Sequence, residues 1–111
     1  MRKHCLKNVE IANNYFKRLR GLMFRRKIDK PLVIVLEKES RINSIIHSFF
    51  VFFKFDAVFL NSKNVVVDLK EDIMPFTLFI LPKKPAKFVI ELKKGEIRRR
   101  NIKIGDLVIW I

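Results

Sequence analysis

The segment FDAVFLNSKNVVVDL, residues 55–69, decides the predicted fold. Two short runs rich in Val, Phe and Leu flank NSKN at 61–64, a polar stretch typical of a turn between two strands. Similar apolar runs recur along the chain. They are HCLKNVEI (4–11), PLVIVLE (31–37), SIIHSFF (44–50), FTLFILP (76–82), KFVIEL (87–92) and the last residues, 107–111. Short strands with turns between them favour an antiparallel sandwich or barrel.

One amphipathic helix is predicted near the N-terminus, because apolar residues recur there every three to four positions. Asn13 or Asn14 can cap its start, and Gly21 can end it because glycine adopts positive φ without a Cβ clash. The segment KKGEIRRRNI (93–102) is predicted to be a short helix or turn. We therefore expect one domain, residues 1–111, with a mainly β, α+β fold: a compact antiparallel sandwich or barrel-like sheet with one or two short helices.

Basic residues are concentrated at the two ends of the chain, whose net charge is +13. Lys and Arg outnumber acidic residues nine to one in residues 1–27 and nine to three in residues 83–111. Residues 28–82 hold six basic and seven acidic residues. If the ends meet in space, they form one basic face that could contact nucleic acid. The alternative is a compositional habit, as found in thermophiles or AT-rich genomes.

The sequence predicts a soluble, cytoplasmic protein without membrane contact. Its single cysteine, Cys5, excludes an internal disulfide. The longest apolar stretch, residues 45–60, contains Lys54 and Asp56 and is shorter than the ~20 residues of a membrane-spanning helix. His4 is expected in a loose N-terminus. No ligand spacing indicates a metal site and no nucleotide-binding motif indicates a cofactor, so neither is predicted. The oligomeric state stays open.

The order of several short motifs resembles the family called domain of unknown function 192. Its hallmarks are an Arg before Gly-Leu-Met and another Arg, a Phe-rich stretch leading into Asp, a late Glu followed by Gly, and a final Gly-Asp. The matching segments are RLRGLMFR (18–25), HSFFVFFKFDAVFLN (47–61), Pro75, VIELKKG (89–95) and IGD (104–106). VFFKFDA stands where bacterial members resemble Met-Lys-Asn-Thr before Pro-Leu-Asp, so the chain is most similar to the archaeal branch. The resemblance implies a compact β-rich domain and supplies no activity.

Five residues are candidates for binding a small polar or anionic ligand: Arg18, Arg25, His47, Asp56 and Glu91. Asp56 lies among Phe residues, and a buried carboxylate needs a partner. That partner could be Arg18 or Arg25, or a set of backbone N–H groups. Alternatively, Asp56 lines a pocket with an arginine opposite, which would hold the ligand. His47 is either a core or rim residue or part of the same site.

Three functions remain open from the sequence. The favoured function is a non-enzymatic binding module with a pocket at the five residues above. The second is a basic protein that contacts RNA, DNA or ribosomes, with phosphate contacts or base stacking on Phe side chains. Its candidate residues are Arg18, Arg20, Arg25, Arg26, Lys27, Arg98, Arg99 and Arg100. The third is an enzyme of unknown class that uses Asp56 and His47, so enzymatic activity is left undecided.

Overall fold

The computed structural model describes residues 1–42, 44, 46, 48, 50–77 and 79–111. These residues form seven strands and two short helices. In chain order they are β1 Lys3–Leu6, β2 Glu10–Ala12, α1 Tyr15–Arg20, β3 Leu32–Ser40, β4 Phe55–Leu60, β5 Val66–Ile73, β6 Ala86–Lys93, α2 Glu96–Arg100 and β7 Leu107–Trp110. The prediction of a β-rich fold with short helices is confirmed.

Five strands form the main sheet, in the order β2-β3-β6-β4-β5. The pairs β3–β6, β6–β4 and β4–β5 are antiparallel, as predicted from the sequence. β2 is parallel to β3, and the connection through α1 supplies the crossover that parallel neighbours require. β1 and β7 form a second, parallel pair, so the two ends of the chain do meet in space. The observed sheets are therefore mixed rather than purely antiparallel.

Three predicted strand segments, 4–11, 44–50 and 76–82, differ from the strands that the structure describes. Residues 4–11 are divided between β1 and β2, with Asn8 at φ 56° between them. In residues 44–50 and 76–82, the described positions contain one antiparallel bridge, between Ile46 and Ile80. Phe50 and Phe76 have φ values of 59° and 60°, which are incompatible with an extended strand.

The hydrophobic core occupies both faces of the main sheet because successive strand residues point to opposite sides. One face contains Ala57, Phe59 and Val89, against which Leu22 and Val51 pack. The other contains the alternate residues of the same strands, packed against residues of β1, α2 and β7. Each fully buried large side chain contributes about 1.5–3 kcal/mol to folding.

Helix α1 ends where the sequence predicted. The side chain of Asn14 accepts a hydrogen bond from the backbone N–H of Lys17, 2.9 Å away, and so caps the start of the helix. Gly21, at φ 46°, ends it and donates its N–H to the carbonyl of Lys17. Within the described ranges, neither helix has the length or apolar composition needed to cross a membrane.

Candidate functional site

Glu91 is a buried carboxyl group near the centre of the main sheet. It lies on β6, where it is paired with Leu32 of β3 and Ala57 of β4, and only 3% of its surface is exposed. Among the described residues, its Oε1 atom has no hydrogen-bond partner. Burial raises the pKa of Glu91 to about 8, and the nearby Arg25 guanidinium opposes this rise only in part. Glu91 is therefore mostly protonated at neutral pH.

Arg25 approaches Glu91 from the turn after α1. Its Nη1 and Nη2 atoms donate to the two carboxylate oxygens of Glu10 at 2.8 and 2.5 Å. This hydrogen-bonded pair raises the pKa of Arg25 and lowers the pKa of Glu10. The Nε atom of Arg25 is buried and lacks a partner within the described part of the chain. Nη1 and Nη2 are thus used by Glu10, Nε is left without a partner among the described residues, and the charge of the guanidinium acts on Glu91.

Gly21 lies directly against the Glu91 carboxyl group. A Cβ atom built on Gly21 would lie 3.4 Å from Glu91 Oε1, and the positive φ of Gly21 would strain any L side chain. Three family hallmarks, Gly21, Arg25 and Glu91, therefore come together from two distant segments of the chain. We name Glu91, Arg25, Glu10 and Gly21 the polar centre. It offers an O–H donor from neutral Glu91 and an N–H donor from Arg25.

Asp56 does not belong to the polar centre. It pairs with Leu92, the neighbour of Glu91 on β6, and so it faces the opposite side of the sheet. Asp56 is 0% exposed. The backbone N–H groups of Asp72, Gly95 and Ile97 donate to its carboxylate at 3.0, 3.1 and 3.2 Å. Asp56 is therefore paired with backbone N–H groups rather than with Arg18 or Arg25. These hydrogen bonds tie β4 to the end of β5 and the start of α2.

The two remaining predicted ligand residues are Arg18, which lies apart from Arg25 and Glu91, and His47. Arg18 donates from Nη1 to the carbonyl of Val35 at 3.2 Å, and its Nη2 lies 3.4 Å from Glu37. It therefore holds α1 against β3. His47 lies outside the described residues. Of the five predicted ligand residues, the structure brings Arg25 and Glu91 together, whereas Asp56 and Arg18 occupy separate places.

Sequence reasoning missed two partners. Glu10 carried no local signal, because its role depends on the parallel pairing of β2 with β3. His4 was expected in a loose N-terminus, and this was wrong: it lies in β1, and its Nε2 atom is 2.9 Å from Asp106. Asp106 also accepts from the N–H groups of Arg2 and Lys103, and its bond with His4 leads the interactions that lower its pKa to about 2. This cluster joins the two ends of the chain.

The basic residues near the C-terminus are largely offset by acidic neighbours. Arg98 lies 3.7 Å from Glu71, Arg100 lies 3.4 Å from Glu96, and Arg99 also pairs with Glu96. In the N-terminal set, Arg20 is exposed, and Arg26 and Lys27 line a cleft of about 450 Å³. Three further lysines, Lys54, Lys93 and Lys94, line the same cleft.

Comparisons with known proteins agree with the motif pattern. The chain is 42% identical over 102 residues to a UPF0127 protein of Thermococcus sibiricus, covering 92% of this chain and 65% of that protein. It is 40% identical to a UPF0127 protein of Pyrococcus furiosus, covering 92% and 85% of the two chains. The chain therefore spans just under two thirds of the first relative's length.

The fold also matches a solved structure. A protein of unknown function from Novosphingobium aromaticivorans superposes with a TM-score of 0.79 over 87% of this chain and 70% of that one, at 21% identity. At this identity the likeness concerns the fold alone. The family model for domain of unknown function 192, described as "Uncharacterized ACR", matches residues 2–110. With most of its length matched, the chain belongs to the family of domain of unknown function 192.

Proposed function

We propose that this protein is a non-enzymatic binding module whose small polar or anionic ligand is held at the polar centre. The observation that carries the proposal is the pair of buried polar atoms, Glu91 Oε1 and Arg25 Nε, that lack partners among the described residues. Roughly nine in ten or more of the buried polar groups in proteins are hydrogen-bonded, so two unpartnered atoms on side chains that interact electrostatically favour a binding role.

The chemistry of the two groups indicates the class of ligand. Neutral Glu91 donates one O–H, and Arg25 Nε donates one N–H, so together they suit a ligand that presents acceptor oxygens. A carboxylate or phosphate oxygen would gain a charge-assisted bond from Arg25. When Glu91 ionises, it becomes an acceptor and repels such an anion. Binding is therefore expected to weaken as the pH rises past the Glu91 pKa of about 8.

A thermal-unfolding assay with defined anions tests this proposal. Acetate, inorganic phosphate and citrate are compared with chloride at equal ionic strength, at pH 6.5 and at pH 9. We expect at least one of them to raise the unfolding temperature more than chloride does at the lower pH, and to lose this effect at the higher pH. The same stabilisation at both pH values, or none beyond that of chloride, would contradict a site built on neutral Glu91.

Two variants distinguish specific binding from a general charge effect. Arg25→Gln removes the Nε donor, whereas Arg20→Gln removes an equal charge from an exposed position nearby. The anion-induced shift should disappear in Arg25→Gln and persist in Arg20→Gln. The shift is compared rather than the unfolding temperature itself, because Arg25→Gln also leaves Glu10 without its ion pair.

The enzymatic alternative gains no support from the geometry. It needs Asp56 available for chemistry. Asp56 lies at the base of a cleft of about 390 Å³ that Arg98 and Arg99 also line, but its side chain is 0% exposed and accepts three backbone hydrogen bonds. Its other residue, His47, lies outside the described part of the chain. We further propose a cytoplasmic location, which the exposed free thiol of Cys5 supports because reducing compartments preserve such thiols.

A further inference from the structure

A row of exposed phenylalanine rings lies outside the core. Phe24 and Phe52 are 65% and 61% exposed, and Phe50 and Phe76 are 37% and 49% exposed. The rings of Phe24 and Phe50 stack with centroids 5.0 Å apart and an interplanar angle of 22°. Phe76 makes edge contacts with Phe50 at 6.4 Å and with Phe52 at 5.4 Å. We name these four rings the aromatic platform.

The backbone holds these rings outward at an energetic cost. Phe24, Phe50 and Phe76 have φ values of 62°, 59° and 60°. Left-handed conformations cost bulky residues about 1–2 kcal/mol each, and Asn or Gly would fill them more easily. Hydrogen bonds fix this arrangement: Phe24 N–H donates to the Phe50 carbonyl at 3.0 Å, and Phe76 N–H donates to the Ser48 carbonyl at 2.7 Å. Bulky residues held in such conformations favour a functional role.

A cationic cleft is lined by residues that are close in sequence to those of the aromatic platform. Its volume is about 450 Å³, and five basic side chains line it: Arg26, Lys27, Lys54, Lys93 and Lys94. No acidic residue is among the described residues that line it, although Lys27 also lies 3.5 Å from Asp29. Phe53, which follows Phe52, is part of the lining, and Arg26 is two residues from Phe24. The platform and the cleft therefore draw largely on the same two chain segments, residues 24–28 and 50–54, which together carry the surface considered below.

We propose that this surface binds single-stranded nucleic acid, with phosphates in the cationic cleft and bases stacked on the aromatic platform. A basic groove beside exposed aromatic rings is the combination that single strands require, because only unpaired bases offer their faces for stacking. A concave cleft suits a chain of phosphates better than it suits the flat surface of an anionic membrane. This surface shares no residue with the polar centre, so the proposal that it binds nucleic acid does not depend on the ligand proposed for the polar centre.

The salt dependence of binding gives the first test. A labelled oligothymidine or oligouridine is titrated with the full chain, and binding is followed by fluorescence anisotropy. Five phosphate contacts predict a log–log slope of about −3.5, so tripling the salt concentration weakens binding about 50-fold. The same strand in a duplex should bind more weakly at every salt concentration, because its base faces are covered.

Two matched lysine variants locate the charge. Lys54→Ala/Lys93→Ala/Lys94→Ala removes three cations from the cleft and should reduce the slope to about −1.4. Lys38→Ala/Lys63→Ala/Lys84→Ala removes three exposed lysines elsewhere and should leave the slope near that of the wild type. Equal losses in the two triple variants would overturn the proposal, since binding would then follow net charge and not the cleft.

Aromatic variants test the stacking. Phe52→Ala and Phe24→Asn each remove an exposed ring, and Asn tolerates the left-handed backbone of Phe24. Each should weaken single-strand binding about tenfold. The control is Phe79→Asn, since Phe79 is also exposed and left-handed, at φ 58°, but lies outside the platform. Unchanged affinity in the platform variants, equal binding of duplex, or tight binding of anionic vesicles with none of the oligonucleotide would overturn the proposal.

Discussion

Replacing Glu91 with glutamine should change how the stability of the protein depends on pH. Burial raises the pKa of Glu91 from 4.5 to about 8 in the folded state. Between these values the folded protein holds a proton that the unfolded chain has released. The free energy of unfolding therefore falls as the pH rises, by up to about 1.4 kcal/mol per pH unit, and this dependence ends above pH 8.

The magnitude follows from that pKa. Glutamine has nearly the shape of a protonated glutamate and stays neutral at every pH. The stability of the variant therefore lacks the pH dependence that Glu91 gives the wild type. The free energy of unfolding of the variant minus that of the wild type should increase by about 2–3 kcal/mol from pH 6 to pH 9. The contributions of the other titrating groups largely cancel in this difference, because both proteins contain those groups. Most of the increase should occur before the pKa near 8 is passed.

Urea unfolding at a series of pH values between 6 and 9 measures this difference. Glu37→Gln provides the control, since the side chain of Glu37 is 85% exposed. Its difference from the wild type should stay nearly constant over the same range. A constant difference for Glu91→Gln as well would refute the reasoning, because Glu91 would then be ionised throughout, or its protonation would be the same in the folded and unfolded states.

Three further predictions concern the supports of the fold. Gly21→Ala should lower the free energy of unfolding by about 1–3 kcal/mol in urea, because of the positive φ and the Glu91 oxygen 3.4 Å from the new Cβ. Asp56→Asn should lower it by about 2–4 kcal/mol, because the backbone hydrogen bonds to a buried carboxylate are weakened. The wild type should lose the stabilisation supplied by Asp106 as the pH falls below 4 towards its pKa of about 2. Asp106→Asn should lose less, as thermal unfolding would report.

Local patterns predicted the secondary structure where they were strong. Short runs of apolar residues located β3, β4, β5 and β6, and the Asn14 and Gly21 caps located α1. Among the described residues of segments 44–50 and 76–82, Phe50, Phe76 and Phe79 have positive φ, and no periodicity in a sequence reveals a positive φ at phenylalanine.

The site could be predicted only in part. The resemblance singled out Arg25, Glu91 and Asp56, but the sequence contains no signal for the face on which each lies. A strand places neighbours on opposite sides, so the register of β4 against β6 decides that Asp56 and Glu91 are separated. The role of Glu10 likewise depends on a parallel pairing between strands joined by a helix. Such long-range pairings are fixed by packing rather than by local sequence.

The protonation of Glu91 is the central claim, and NMR of side-chain carboxyl carbons tests it most directly. In protein labelled with ¹³C at glutamate, one carboxyl signal should titrate near pH 8 and be missing from Glu91→Gln. Adding acetate or inorganic phosphate below that pH should shift the same signal, as expected for a ligand bound beside it. If every glutamate titrates below pH 5, the carboxyl group is ionised at neutral pH, and the account of the polar centre is wrong.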